Sequence, residues 1–151
     1  MGSGYDIVLE HSGLMDGLNI FAGYSSIDQL NSGGTTGNRT ATGAGLTYAI
    51  GGATVGYQIS NDSLNQLAGV NHYDNQAYGV SFAVNDNLTI STGRHEVDMG
   101  GSKEDEVSTG FSASYTMGSI TVAGHANKTD SQQGVVNQDE TSKSVNIGFA
   151  F

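Results

Sequence analysis

The chain ends in the stretch Val145-Asn146-Ile147-Gly148-Phe149-Ala150-Phe151, in which an apolar residue occupies every second position. Because successive side chains of a β-strand point to opposite faces, this period of two places the apolar residues on one face of a strand. Chain termini tend to fray into water, so a strand that keeps an aromatic residue at its last position is unusual in a soluble protein. The stretch predicts a β-strand with one apolar face. An ordinary strand at the edge of a soluble sheet is the alternative.

The same alternation recurs along the whole chain, and no segment has the spacing of an amphipathic helix over three turns. The 23 glycines also oppose helix formation. The pattern predicts about nine strands, at 5–13, 18–28, 42–50, 53–61, 76–84, 88–96, 107–117, 120–128 and 141–151. The first segment carries Asp6, Glu10 and His11, which are poor residues for an apolar face, so eight strands are the alternative. The predicted fold is an all-β, antiparallel, up-and-down sheet.

The predicted connections alternate in length. Short ones rich in Gly, Asn or Asp, as hairpin turns require, lie at 15–17, 51–52, 85–87 and 118–119. Long polar ones with many carboxylates lie at 29–41, 62–75, 97–106 and 129–140. Short turns at one end of a barrel and long loops at the other are typical of transmembrane β-barrels, whose turns are periplasmic and whose loops are extracellular.

The composition excludes several classes of protein. The chain of 151 residues has no Cys, so no disulfide stabilises it, and its net charge of -10 with only 5 Lys plus Arg argues against nucleic-acid binding. No apolar run approaches the ~18 residues of a transmembrane helix. The low mean hydropathy of -0.25 still fits a membrane barrel, because only every second strand residue would face lipid. Residues 1–4 are predicted to be a linker from an expression vector, and residues 5–151 one barrel segment.

The face opposite the apolar one consists of small, nearly uncharged residues, mainly Gly, Ser, Thr and Ala. A soluble surface usually carries more charge, so this face is predicted to line a lumen while the apolar face meets lipid. Such small side chains cannot fill an eight-stranded barrel, so the chain is predicted to supply about half of a barrel with ~16 strands. The predicted pore-lining residues are Gln58, Ser81, Ser91, His95, Ser112, His125 and Asn146.

Residues 5–151 resemble the C-terminal half of general porins of Gram-negative bacteria, particularly the α-proteobacterial kind. The resemblance rests on the stretches 13–20, 52–57, 77–82 and 118–122, and on the ending Gly148-Phe149-Ala150-Phe151. It implies an integral protein of the outer membrane, in contact with lipid and lipopolysaccharide, that forms a water-filled channel for passive diffusion of ions and small hydrophilic solutes.

The resemblance also implies partners. In the family a homotrimer is usual, and the barrel-assembly machinery reads the C-terminal strand, here through Val145, Ile147, Phe149 and Phe151. Two family features are absent from the sequence. The inward-folded constriction loop belongs to the other half of such porins, and no dense ladder of basic residues lines the small-residue face. Arg94 is the nearest candidate for such a ladder, but its position in the alternation places it with the apolar set.

Two other functions are compatible with the same sequence. A non-conducting barrel that acts as an adhesin or structural module through its long loops shares the fold, and a soluble barrel holding an apolar ligand is a third possibility. No catalytic motif is present, and no cofactor is predicted. Asp98, Glu104, Asp105 and Glu106 could bind a divalent cation, since hard cations prefer carboxylate oxygens, although a solvated acidic loop explains the same residues.

Overall fold

The computed structural model of the chain describes residues 2–29, 34–35, 37–101 and 103–150. The described residues form one antiparallel sheet of nine strands, in which every strand pairs with its neighbours in sequence. The strands are β1 Gly4–His11, β2 Leu18–Ile27, β3 Arg39–Ile50, β4 Ala53–Ser63, β5 His72–Ala83, β6 Leu88–Asp98, β7 Glu106–Met117, β8 Ile120–Asp130 and β9 Glu140–Phe149. The predicted all-β, up-and-down fold is thereby confirmed, and β1 is one of its strands.

Tight turns produce this simple order. β3 and β4 join through Gly51-Gly52, and β7 and β8 join through Gly118-Ser119. The first residue of each turn has a positive φ, 57° at Gly51 and 61° at Gly118, which glycine adopts without steric cost. Turns with this backbone match the twist of the flanking strands, so they connect neighbouring antiparallel strands directly. We call the edge of the sheet that carries these turns the turn end, and the opposite edge the loop end.

Several strands reach further toward the loop end than the sequence predicts. β3 begins at Arg39 rather than at 42, β4 ends at Ser63 rather than at 61, and β5 begins at His72 rather than at 76. β6 and β8 likewise continue to Asp98 and Asp130. The apolar alternation stops before these ends, but strand pairing continues, because each added residue lies opposite a residue of a neighbouring strand. Polar residues on both faces hide such extensions from a search for alternation.

The predicted first turn is also longer than expected. β1 ends at His11, two residues before the predicted 13, so the connection to β2 covers Ser12 to Gly17. Within it the N–H of Leu18 donates to the carbonyl of Met15 at 3.0 Å. The β8–β9 connection contains a single 3-10 turn at Gln132–Gly134, which the sequence did not predict. No described segment is a helix of the length and apolarity that crossing a membrane requires.

The register places two contrasting sets of side chains on the two sides of the sheet. Along the middle of β5, the apolar face carries Tyr78, Val80 and Phe82, which are 49%, 40% and 46% exposed. The small-residue face carries Ala77, Gly79 and Ser81, which are half-buried. The same alternation continues across the neighbouring strands, because each residue pairs with a residue of its own face.

The described part of the sheet has no hydrophobic core of its own. Val97 is the one buried apolar residue among the described residues, whereas large apolar side chains are exposed on eight of the nine strands, all except β6. Burying one such side chain stabilises a fold by about 1.5–3 kcal/mol, so this face needs an apolar environment to cover it. Within the described residues β1 and β9 each pair with one strand only, which leaves the sheet open along two edges.

Candidate functional site

The small-residue face carries an open groove with a volume of about 910 Å³. Most of its lining residues belong to this face, from Phe21 and Thr47 on β2 and β3 to Asn127 and Ser142 on β8 and β9. The position of the groove makes the small-residue face the concave side of the sheet. The lining is rich in hydroxyl and amide groups, so the groove offers many neutral hydrogen-bonding partners to water or to a polar solute.

A row of four glycines forms the floor of the groove. The row crosses four neighbouring strands in register, and its members are Gly56, Gly79, Gly93 and Gly110. The strands approach closely here, because a Cβ atom at Gly93 would lie 3.0 Å from the backbone oxygen of Tyr78. A Cβ atom at Gly79 would lie 3.0 Å from the backbone oxygen of Thr92. Side chains at these positions would narrow the groove, and at Gly79 and Gly93 a Cβ atom would also press against the backbone of the neighbouring strand.

The structure brings five of the seven predicted pore-lining residues into this groove. They are Gln58, Ser81, Ser91, His95 and Ser112. Ser91 and Ser112 face each other across β6 and β7 and join by a hydroxyl–hydroxyl hydrogen bond of 2.7 Å. The other two predicted residues share the small-residue face but lie on the last two strands. There Ser144 contacts His125 at 3.1 Å and accepts a hydrogen bond from the amide of Asn146 at 3.3 Å.

Sequence reasoning missed Phe21, the large aromatic side chain of the groove. Phe21 pairs with Gly45 on β3, so it lies on the small-residue face although its neighbours Ile20 and Ala22 lie on the apolar face. Its ring occupies space that a side chain at position 45 would need, since a Cβ there would lie 2.6 Å from Cζ of Phe21. The strict alternation of β2 together with the glycine-rich alternation of β3 could have revealed this ring.

Acidic residues dominate the charge of the small-residue face. The register places five carboxylates on it, namely Asp6, Glu10, Asp62, Glu106 and Glu140. Arg39 is the one Lys or Arg that the described strands place there, and its guanidinium forms an ion pair with Asp62. An electrostatic field of this sign attracts cations to the concave side.

The other basic residues of the strands lie on the apolar face, in the half of each strand that is nearer the loop end. Arg94 is opposite Tyr78, as its position in the alternation predicts, and donates to Glu96 at 2.9 Å. Lys128 forms an ion pair with Asp130, and Lys143 is opposite Ala126 on β8. Long basic side chains at this level can bury their methylene groups in an apolar layer and keep their charges in the polar boundary above it.

The predicted acidic metal ligands are separated in the structure. Asp98 lies at the end of β6, where the described residues contain one group of three possible ligands, formed by Asp98, His72 and Asp74. Glu104, Asp105 and Glu106 do not join this group. Glu106 instead accepts a hydrogen bond of 2.7 Å from the backbone N–H of Gln133, which holds the 3-10 turn against β7.

The last strand presents its predicted assembly residues on the apolar face. Val145, Ile147 and Phe149 pair with Gly124, Val122 and Ile120 of β8. The exposed fractions of the three side chains are 73%, 60% and 61%. Phe151, the fourth predicted residue, lies outside the described residues. The described part of the strand therefore offers a continuous row of apolar side chains and one unpaired backbone edge.

At the loop end of β2 a small hydrogen-bonded clamp joins the start of β1 to the end of β2. The backbone N–H of Asp28 donates to the carbonyl of Ser3 at 2.7 Å, and the backbone N–H of Ser3 donates to Oδ2 of Asp28 at 3.2 Å. The hydroxyl of Ser3 also donates to this carboxylate, and that hydrogen bond lowers the pKa of Asp28 below its ordinary value.

The fold matches that of a solved outer membrane protein. The chain aligns with OmpT, an outer membrane protein of Vibrio cholerae that was folded in vitro, with a TM-score of 0.62 and 16% sequence identity. The alignment covers 97% of this chain and 54% of that protein, so the chain spans about half its length. No protein-family model matches the chain, and no curated protein sequence does. The sheet described above therefore has the fold of an outer membrane β-barrel wall.

Proposed function

We propose that the chain is part of an outer-membrane porin, which forms a water-filled channel for passive diffusion of ions and small hydrophilic solutes. In this proposal the apolar face meets lipid, the small-residue face lines the lumen, and the loop end is extracellular. Further strands, from the same protein or from another copy, close the barrel to about 16 strands.

The observation that carries this proposal is the unfilled groove on the small-residue face. Side chains of Gly, Ser, Thr and Ala leave about 910 Å³ of open volume along the concave side. A barrel that served only as a scaffold would need larger side chains to fill its interior. The exposed apolar side chains on the opposite face support the same orientation, because they need lipid to cover them.

The proposal includes a preference for cations. Charged groups along a pore wall set its ion preference, and here the small-residue face carries five carboxylates against one guanidinium. The guanidinium of Arg39 is also occupied by Asp62. The basic groups of Arg94, Lys128 and Lys143 are on the other side of the wall and contribute less to the field in the lumen.

The proposed surroundings follow from the same orientation. Lipid and lipopolysaccharide contact the apolar face, and the basic residues near the loop end lie at the level of the lipid headgroups. The barrel-assembly machinery engages the last strand through Val145, Ile147, Phe149 and Phe151. The kinship to general porins of α-proteobacterial type and the assembly into a homo-oligomer, a trimer in that family, remain part of this proposal.

A planar-bilayer experiment tests the proposal. The protein, inserted from detergent, should give stepwise conductance, and the reversal potential under a KCl gradient should indicate cation preference. Glu140→Gln removes a carboxylate from the small-residue face and should reduce this preference. Asp130→Asn removes a carboxylate from the apolar face and serves as the matched control. Absence of conductance from a closed barrel that contains these strands would overturn the pore, and anion preference would overturn the assigned electrostatics.

A second candidate function, an adhesin or structural module, is favoured by contacts between two of the connections at the loop end. Gln29 donates its side-chain amide to the carbonyl of Leu64 at 2.9 Å, which links the β2–β3 and β4–β5 connections. Thr35 and Gln66 form a further β-bridge between the same two connections. Such contacts between connections give the described part of the loop end a defined surface for a partner. This candidate predicts a folded barrel without conductance, so the same bilayer recording distinguishes the two functions.

A further inference from the structure

We infer that His72, Asp74 and Asp98 form a binding site for a divalent transition-metal ion of the zinc type, at the loop end of the apolar face. The three residues come from the start of β5 and the end of β6, and their ligand atoms all lie within 4.8 Å of one another. The site is separate from the groove, because its residues belong to the opposite face of the sheet.

The distances from the imidazole of His72 to the two carboxylates suit coordination of one metal ion better than direct hydrogen bonds. Nε2 of His72 is 4.0 Å from Oδ2 of Asp74 and 3.8 Å from Oδ1 of Asp98, which is too long for a hydrogen bond in either case. Two ligand atoms that are each about 2.1 Å from a tetrahedral metal ion are about 3.4 Å apart. The observed separations are about 0.5 Å longer, so small rotations of the two exposed carboxylates would close the imidazole and the carboxylates around one ion.

The imidazole is oriented for this role from its other side. Nδ1 of His72 lies 2.7 Å from Oδ1 of Asn71, and an amide oxygen only accepts hydrogen bonds. A neutral ring that donates from Nδ1 to this oxygen carries its lone pair on Nε2, the nitrogen that faces the two carboxylates. A metal-bound histidine is commonly held in this way by a hydrogen bond from its second nitrogen.

Gly100 provides the space in which the imidazole lies. A Cβ atom at this position would be 2.4 Å from Cε1 of His72 and 2.7 Å from its Nδ1. The backbone N–H of Gly100 also donates to Oδ1 of Asp98 at 2.7 Å, so the same residue positions one carboxylate ligand. The β6–β7 connection is thus shaped around the ring of a residue on the neighbouring strand.

The two carboxylates of the cluster would also be stabilised by a bound cation. Asp74 and Asp98 are directly opposite each other on β5 and β6, an arrangement in which like charges destabilise a sheet. Among the described residues, no Lys or Arg forms an ion pair with either carboxylate, whereas Asp62, Glu96 and Asp130 each have one. A mixed set of one imidazole and two carboxylates favours a borderline metal such as Zn²⁺ over Mg²⁺, which prefers oxygen ligands alone.

Calorimetric titration of the full chain in detergent micelles with ZnCl₂, and separately with MgCl₂, tests this site. The protein must carry no histidine tag. We expect one saturable Zn²⁺ site per chain and at least tenfold weaker binding of Mg²⁺. Asp98→Asn should weaken Zn²⁺ binding at least tenfold. Asp105→Asn removes the same charge from the neighbouring connection and should leave the affinity unchanged.

A second pair of variants tests the geometry without removing a ligand. Gly100→Ala should displace the imidazole and weaken Zn²⁺ binding at least tenfold. Gly101→Ala is the matched control, because Gly101 also has a positive φ, 70° against 64°, but the nearest atom to its Cβ position is 3.7 Å away and belongs to Gly69. Equal affinities in both members of either pair, or preference for Mg²⁺, would overturn the proposal.

Discussion

The two faces of the sheet are built from the same strands but differ in nearly every property. On β5, Val80 is 40% exposed and belongs to a face of large apolar side chains. The adjacent Ser81 is half-buried and lines a groove of small polar ones. The side chains of the apolar face are exposed, and the small-residue face carries an open groove. The contrast teaches that the usual arrangement of a soluble domain, with apolar residues inside and polar residues outside, is reversed in this protein.

The contrast also defines how the fold would fail. Because the period of a strand is two residues, a shift of one residue in the register would move every side chain to the opposite face. The apolar side chains would then fill the groove and the glycines would face lipid. No intermediate arrangement satisfies both environments, so substitutions at adjacent positions should have sharply different effects.

The largest difference is expected between Val80→Arg and Ser81→Arg. Val80 lies near the middle of the apolar band of β5, where an arginine facing lipid costs about 2–4 kcal/mol. Ser81 faces the groove, where an arginine can remain in water, so Ser81→Arg should fold normally and change conductance. Folding into lipid vesicles, followed by urea titration, measures both free energies of unfolding. If the two variants lose the same stability, the assignment of the faces is wrong.

A smaller difference is expected within the small-residue face, between Gly93→Val and Gly148→Val. The Cβ position of Gly93 is 3.0 Å from a backbone oxygen, whereas nothing lies within 4 Å of the Cβ position of Gly148. Overpacking typically costs about 1–3 kcal/mol, so Gly93→Val should be destabilised by this amount. Gly148→Val should stay within about 0.5 kcal/mol of the unmodified chain.

The same urea titrations provide the test for the glycine row. Unchanged stability of Gly93→Val would mean that the absence of a side chain at Gly93 does not set how closely β5 and β6 approach. A large loss in Gly148→Val would instead mean that the last strand is packed against something other than β8.

The smallest effect on stability is expected outside the two faces, at the clamp between Ser3 and Asp28 at the loop end of β1 and β2. Its hydrogen bonds lower the pKa of Asp28, so the ionised carboxylate is favoured in the folded state. The resulting stability is present above the ordinary aspartate pKa of about 3.9 and is lost as the pH falls through the lower folded value. Asp28→Asn should therefore unfold at slightly lower urea than the parent chain at pH 7. The difference should vanish in strong acid, and a difference that persists there would exclude this linkage.

The sequence alone predicted the parts of the molecule that repeat. Alternation along β4, β5 and β7 identified strands, and turn residues such as Gly51 and Gly118 identified connections, because both signals depend on neighbours in the chain. The small-residue face was predicted for the same reason. The pairing of Ser91 with Ser112 then follows from consecutive strands in register.

Features that depend on contacts between distant residues were not predicted. The extensions of β3 to β5 at the loop end have polar residues on both faces, so they produce no alternation. His72 is far in sequence from Asp98, and only the register between β5 and β6 brings the two together. Longer-range pairing, rather than local pattern, determines these parts of the site. Phe21 differs from them, because the alternation of β2 alone places its ring on the small-residue face.

The most direct test of the account is the environment of three adjacent side chains. The chain contains no Cys, so Val80→Cys, Ser81→Cys and Phe82→Cys each introduce a single labelling site. Nitroxide labels at the three positions, with the protein in lipid vesicles, can be probed with oxygen, which concentrates in lipid, and with a water-soluble nickel chelate. We expect oxygen to reach positions 80 and 82 more readily and the chelate to reach position 81. Equal accessibility at all three positions, or the reverse order, would contradict the membrane-facing assignment.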